Sequence, residues 1–425
     1  MKKLLLAFLA LLCFQSPAFG ATTLGVSGDK FTINGKETFL LGVSYFDAFN
    51  WRVSDLNELR ARGYNLIRVR LDWRDQGFFD SEGNLIWAQP LVELVEAADA
   101  RGLIVDVTIL DKALTFGSSN RQKAVRQAVS ALKGKPNVIF DIMNAHDYGK
   151  DPLSHTEVQT LIDAAIEEDP NAIITVSSGP DHVIKSEALE EIHVDEELNA
   201  GVMALAPHLS RTGDWYSKTD ERVTLIKNYL NDKNQVIPLY LQEEARRGYN
   251  DMYPTQDEFL QAAKAAFSAG AAAWIFHTAA GFDLTGGSFF SQLDSVEKST
   301  IEALPKEIFG SDASSNTTAS TANGATLATN TTTESISSAP QQQSYDAAST
   351  NTSARSASTS VTTQAPSTAQ SDYVPQVAGV VNVKSFGARG DGVTDDTAAI
   401  QNAINNTPRR ATTYLPNGTY LVSNR

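Results

Sequence analysis

The side chains best equipped for chemistry stand just beyond apolar runs. Glu243 and Glu244 follow the run 238–242, Arg68 and Arg70 close the run 65–70, Asn144, Ala145, His146 and Asp147 follow the run 137–143, and His208 follows the run 201–206. A carboxylate at the C-terminal end of a barrel strand can act as nucleophile or as proton donor and acceptor. Strand alternation places Ile237, Leu239, Leu241 and Glu243 on one face, with Glu244 behind or at the rim, and gives Arg68 and Arg70 a shared face. Each reading has a plainer alternative: Glu243 as the ion-pair partner of Arg68 or Arg246, Arg68 as a salt-bridged arginine of a barrel mouth, His208 as a hydrogen-bonded rim histidine. The indole of Trp274 offers a flat apolar face with one N–H donor. Trp73 and Tyr45 are weaker candidates of the same kind, equally readable as core. His146 and Asp147 adjoin, but the sequence has no His-x-x-x-His or cysteine cluster, so no metal or cofactor is expected. No Gly-x-Ser-x-Gly elbow is present either, which disfavours an esterase.

Positioning these residues requires an α/β scaffold. Eight β-branched runs, 38–43, 65–70, 103–109, 137–142, 172–177, 201–206, 237–242 and 271–276, alternate with amphipathic helical stretches. Strands alternating with helices imply a parallel sheet, and eight such pairs over this length predict a (β/α)₈ TIM barrel. An open doubly wound sheet is the alternative, but no glycine-rich phosphate loop follows the first strand. Ser154 with Glu157 and Thr255 with Glu258 have capping-box spacing, and Gly63 and Gly102 are placed to end helices.

Residues 1–20 join Lys2 and Lys3 to an apolar run and end in Ala18-Phe19-Gly20, the pattern of a signal peptide, so the chain is expected in the periplasm or secreted. Cys13, the only cysteine, lies inside that signal. No later segment is apolar enough to span a bilayer, and a soluble monomer without a membrane partner is expected. The net charge is −15 before signal removal and more negative after it, which disfavours nucleic acid and anionic membranes. A neutral polymer suits that balance better than a polyanion, although one cleft can still be locally basic. Residues 21–310 are assigned to the barrel. Residues 311–372, rich in Ser, Thr, Ala, Asn and Gln, read as a disordered linker with a span of roughly 40 Å.

Two resemblances follow from these motifs. Residues 383–400 and 415–420 resemble the N-terminal cap of the pectate-lyase superfamily, which implies that residues 373–425 begin a right-handed parallel β-helix of a kind that cleaves, epimerises or binds polysaccharides. A solenoid needs about three stacked repeats, so this module reads as incomplete, with no catalytic residues of its own. Residues 30–305 resemble the clan-A, family-5-like glycoside hydrolases, through Phe31-Thr32-Ile33-Asn34-Gly35-Lys36 with the run 39–44, through the run 63–70, and through the Pro238-headed strand.

The second resemblance implies that Glu243 is the nucleophile, Arg68 its brace, and Asn144, His208 and Trp274 sugar-binding residues. Trp215 or Tyr216 would supply the aromatic expected after His208. It also implies that Ala145 occupies the position of the acid/base glutamate. A retaining glycosidase needs two carboxyl groups about 5 Å apart, and Glu243 supplies one. Three readings follow: a hydrolase recruiting His146, Asp147 or Glu244 as acid, a pseudoenzyme that binds polysaccharide, or a variant of an active enzyme.

Overall fold

In the computed structural model, residues 21–71, 77–111, 117–148, 152–180, 182–185, 188–209, 211, 213, 215–310, 380–407, 412–416 and 418–423 are described. The signal, the linker and Trp73 lie outside them.

The β-branched runs become strands whose alternate side chains separate two cores. Leu40–Asp47, Leu66–Arg70, Ile104–Leu110, Val138–Met143 and Ile173–Thr175 are the first five barrel strands, and Tyr240–Leu241 and Ala273–Phe276 are the seventh and eighth. These seven pair side by side and in parallel, the eighth joining the seventh to the first. The sixth, Ala206–Pro207, pairs with Ser177–Ser178 just beyond the fifth, while Leu205 bridges Leu239 of the seventh. The Leu205 N–H donates to Pro238 at 2.9 Å and the Tyr240 N–H to Leu205 at 2.8 Å, which closes the ring. The expected (β/α)₈ barrel is therefore present.

Inside the ring, Leu40, Leu66, Ile104, Ile139, Ile173 and Ala273 form an apolar layer, and Leu24 and Phe31 of the leading hairpin pack onto it. Outside it, Val43, Ile67, Val69, Val105 and Val107 pack with helix residues such as Leu56, Leu91 and Leu94. Two residues further along the strands, the interior turns polar: Arg68 stands in register with Ser44 and Asp106. This change of layer brings charged groups to the C-terminal face, where barrels carry their chemistry.

Thr255 and Glu258 make both halves of a capping box at the helix Gln256–Ser268. Ser154 accepts from the Glu157 N–H, but the Glu157 carboxylate pairs with Arg121 instead of returning to the cap. Gly63 ends the helix Val53–Arg62 at φ 101, where a Cβ would be strained. No helix among the described residues is long and apolar enough to cross a membrane.

Toward the C-terminus, Val380–Asn382 pairs in parallel with Thr412–Tyr414, and Asp391–Asp395 with Thr419–Leu421. Val383, Ala388 and Ala403 form a small core beneath the helix Thr397–Asn405. Asp396 is buried and accepts the N–H groups of Arg389 and Gly390 at 2.7 and 3.0 Å, which fixes the glycine-rich turn.

Candidate active site

Glu243 is the centre of the polar end of the barrel. Regular pairing of the seventh strand stops at Leu241, and the alternation assumed from the sequence stops with it. Tyr240 and Gln242 face inward and bond to Asp106 at 2.5 and 2.9 Å, whereas Leu239 and Leu241 join the outer core. Glu243 nevertheless turns into the barrel mouth, so it does not share a face with Leu239 and Leu241 as alternation alone predicts.

Arg68, fully buried, donates to Glu243 Oε1 at 2.5 Å, Asp141 at 2.9 Å, Thr108 at 3.0 Å and Asn144 at 3.0 Å. Arg70 donates to the same Glu243 oxygen, and to Asn144 and Asp111 at 2.9 Å each. The two arginines open to choice in the sequence thus both reach the carboxylate. Arg211 donates to Glu243 Oε2 at 2.7 Å.

Burial alone would raise the Glu243 carboxyl, but Arg70 and Arg211 hold it well below the usual carboxylate range. His208 and His277 are themselves driven well below the usual imidazole range, by burial first and then by the arginines. Both rings are therefore neutral near pH 7, and the arginines supply the field at Glu243. Burial disfavours the charge on Arg68, yet Glu243, Asp141 and Asp106 more than restore it.

A cavity of ≈ 360 Å³ opens over Glu243, within the size range of small-ligand sites. Asn144, Ala145 and His208 line it, as do Arg70, Arg211, Arg246 and His277. Phe46, Tyr148, Tyr249 and Phe282 supply its aromatic surface. The Arg246 guanidinium lies over Tyr249 and Phe282, 4.6 and 4.9 Å from their ring centres, and makes no ion pair among the described residues. Glu243 is the one carboxylate among the described lining residues.

Ala145 sits in the turn after the fourth strand at φ 45, its N–H donating to Ser177 Oγ at 3.1 Å. The other non-glycine residues at positive φ among the described residues are Asn34, Asn234, Asn250 and Asp251, types that tolerate that region. An alanine there costs on the order of 1 kcal/mol, and the strain falls on the wall of the cavity.

Several expected contributors are placed elsewhere. Trp274 points away from the cavity: it is 1% exposed, packs in the outer core and donates its indole N–H to Glu244. No face of it is left for a sugar, and Ala273, Ile275 and His277 are the inward residues of that segment. Trp215 is buried against Phe259, and Tyr45 bonds to Asp55 at 2.9 Å in the core.

None of the three substitute acids lines the cavity. Glu244 lies beneath Trp274 with the Thr219 hydroxyl at 3.3 Å, and burial pushes its carboxyl up to about 7. His146 pairs with buried Glu197 at 3.3 Å; burial lowers the imidazole, but Glu197 more than offsets it. Asp147 Oδ1 accepts the Gly179 N–H at 2.6 Å, while Oδ2 faces His182 and His193. A ligand atom from each of Asp147, His182 and His193 lies within 4.8 Å of the others, a group with metal-ligand chemistry that no local sequence motif announces. Arg211 and His277 were not legible as site residues because both stand on irregular segments, without strand or helix periodicity.

A closed barrel with a buried carboxylate, braced by arginine, at the C-terminal end of its seventh strand defines a protein of the glycoside hydrolase type. Residues 24–274 match the cellulase family, glycosyl hydrolase family 5, and the chain belongs to that family. Residues 380–425 match a second family, rhamnogalacturonase A/epimerase, pectate lyase-like. Among solved structures, a beta-glucanase from Saccharophagus degradans in complex with cellotetraose is 15% identical, with a TM-score of 0.51 over 68% of this chain and 94% of that one. A family 5 glycoside hydrolase from Prevotella bryantii B14 is 16% identical, with a TM-score of 0.47 over 64% of this chain and 96% of that one. Among curated relatives, alginate lyase 7 and mannuronan C5-epimerase AlgE1, both from Azotobacter vinelandii, are 59% and 61% identical over 44 residues. The match covers 10% of this chain and 5% and 3% of those relatives.

Proposed function

We propose that this is an exported barrel of the retaining glycoside hydrolase type whose cavity grips an acidic polysaccharide, with Glu243 as nucleophile and its acid/base position vacated by Ala145. The observation that carries the reading is the arginine set. Arg70, Arg211 and Arg246 line the cavity, against Glu243 as the one lining carboxylate among the described residues. The chain as a whole is acidic, and its composition alone points to a neutral polymer. A locally basic cleft on an acidic protein instead selects carboxylate-bearing sugars, because a guanidinium meets a carboxylate through paired, charge-assisted hydrogen bonds. The C-terminal relatives named for alginate and mannuronan, polymers of sugar acids, support the same substrate class.

Hydrolysis by retention would begin with attack of the Glu243 carboxylate on the anomeric carbon, as the glycosidic oxygen departs with a proton. Arg68 and Arg70 hold Glu243 Oε1, Arg211 holds Oε2, and Asn144, bonded to both Arg68 and Arg70, is fixed beside the carboxylate. The leaving oxygen needs an acid, and among the described lining residues none is present. That specific lack favours a second reading, a barrel that binds and does not cleave.

Affinity electrophoresis of the full chain in gels containing alginate, carboxyl-free mannan or carboxyl-free glucan, beside a reducing-end assay, tests the proposal. Retardation by alginate that weakens with salt is expected, with little retardation by the neutral polymers. Arg246→Gln should reduce alginate affinity by about 10-fold or more, the loss of one charge-assisted bond. Retardation by the neutral polymers alone contradicts the acidic substrate class.

A further inference from the structure

We infer that Asp147, His182 and His193 form a binding site for a divalent first-row transition ion, zinc foremost, on the barrel's C-terminal face. Three separate segments bring the ligands together: Asp147 on the turn after the fourth strand, His182 beyond the fifth strand, and His193 in the helix Glu191–Ala200. Asp147 Oδ2 stands 3.2 Å from His182 Nδ1 and 3.9 Å from His193 Nδ1. The Asp147 side chain is only 8% exposed. Its Oδ2 and the His193 Nδ1 are both buried without a hydrogen-bond partner, the His182 nitrogen being off the bonding direction despite its nearness. A buried carboxylate oxygen left without a hydrogen bond costs roughly 1–3 kcal/mol or more, and two imidazole nitrogens lie within 4.8 Å of it and of each other, a grouping that a cation between them would satisfy.

The donor set decides the kind of ion. Two imidazole nitrogens and one carboxylate oxygen suit zinc or another first-row transition ion, whereas calcium and magnesium require oxygen donors. Bonds of about 2.0–2.2 Å in tetrahedral geometry set donor atoms roughly 3.3 Å apart. The present spacing, within 4.8 Å, is wider than that, so the side chains would draw together around a bound ion. Those rings are partly open to solvent, which leaves room for water as the fourth ligand. Among the described residues, Glu196, whose Oε2 lies 3.8 Å from His193 Nδ1, and Glu197, which feels the Asp147 charge, are further acidic groups near the site. His146 is held apart by its bond to Glu197.

The second oxygen of Asp147 already bonds to the Gly179 N–H, so the carboxylate is oriented before an ion arrives. Tyr148 and Pro180, which line the sugar cavity, directly follow Asp147 and Gly179. The Tyr148 ring packs edge-on against His182 at 5.7 Å. Zinc would therefore fasten one wall of the cavity, two residues from Ala145.

The test is calorimetric titration of zinc chloride into chelator-treated, untagged full chain, with thermal melting in parallel and cobalt as a spectroscopic probe. One ion per chain, a raised Tm and the visible absorption of tetrahedral cobalt are expected. Asp147→Asn keeps an acceptor for Gly179 but loses the charge, and it should weaken zinc binding by roughly 100-fold, as should His193→Ala. Even outer partners of metal ligands are typically worth 10–100-fold. Both variants should melt as the metal-free parent does, which separates lost binding from lost folding. No zinc binding, binding unchanged in both variants, or calcium binding in place of zinc would overturn the site.

Discussion

Ala145→Glu should raise hydrolysis of the retained polysaccharide by about 10²–10⁴-fold over the parent chain, read as reducing ends released per unit time. General acid/base catalysis is typically worth that much, and the remaining parts are in place: Glu243 is ionised, Arg68 and Arg70 hold it, and Asn144 stands beside it. The backbone at this position already adopts positive φ, so the new side chain adds no strain that the alanine lacks. Arg70, Arg211 and Arg246 share the cavity and would hold the introduced carboxyl low, while Glu243 would push it up. The gain should therefore be largest on the acid side of neutrality, where the introduced group keeps its proton. A variant that binds as the parent does but cleaves no faster would assign the barrel to binding alone.

Glu243→Gln should destabilise the barrel by about 3–5 kcal/mol near pH 7, the usual cost of removing one partner from a buried ion network. Three guanidinium groups converge on this carboxylate. The amide accepts through one oxygen only and turns an N–H₂ toward another donor. For a domain of this size the loss corresponds to a fall in Tm of roughly 10 °C. The folded pKa of Glu243 lies below the ordinary value of 4.5. Its contribution is thus fully present above that value and is lost as pH falls through the folded pKa. The gap in Tm between parent and variant should accordingly be constant above about pH 5 and shrink in acid. An unchanged or raised Tm at neutral pH would mean that the arginines are stabilised by other partners.

The barrel was legible because its evidence is local. Each of the eight strands announces itself as an apolar run, and Thr255 with Glu258 forms the box their spacing implies. Glu243, Arg68, Asn144 and His208 were singled out as residues at strand ends; Glu243, Asn144 and His208 line one cavity, and Arg68 is buried against Glu243. Reasoning from strand parity failed where strands stop: Glu243 faces inward although Leu241 faces outward, because pairing ends between them. Trp274 was misplaced for a related reason, since one step along the eighth strand decides whether an indole meets sugar or helix. Arg211 and His277 were missed because no periodicity orients a side chain on an irregular segment, and Arg246, weighed only as an ion-pair partner of Glu243, lines the cavity. The Asp147, His182 and His193 group joins residues up to 46 positions apart. Parallel pairing of the fourth and fifth strands makes them neighbours.

The central claim, that a competent nucleophile faces a vacated acid/base position, is tested most directly with activated substrates. Glycosyl fluorides of sugar acids and of neutral sugars depart without needing a proton, so the parent chain should form a glycosyl-enzyme, and azide should release it without a general base. Mass spectrometry of the digested protein should place the sugar on Glu243, and the released product should be a glycosyl azide of retained anomeric configuration. Neither adduct nor azide should appear with Glu243→Gln. Absence of both from the parent chain, under conditions where the same sugars bind, would contradict the account and leave a barrel that only binds.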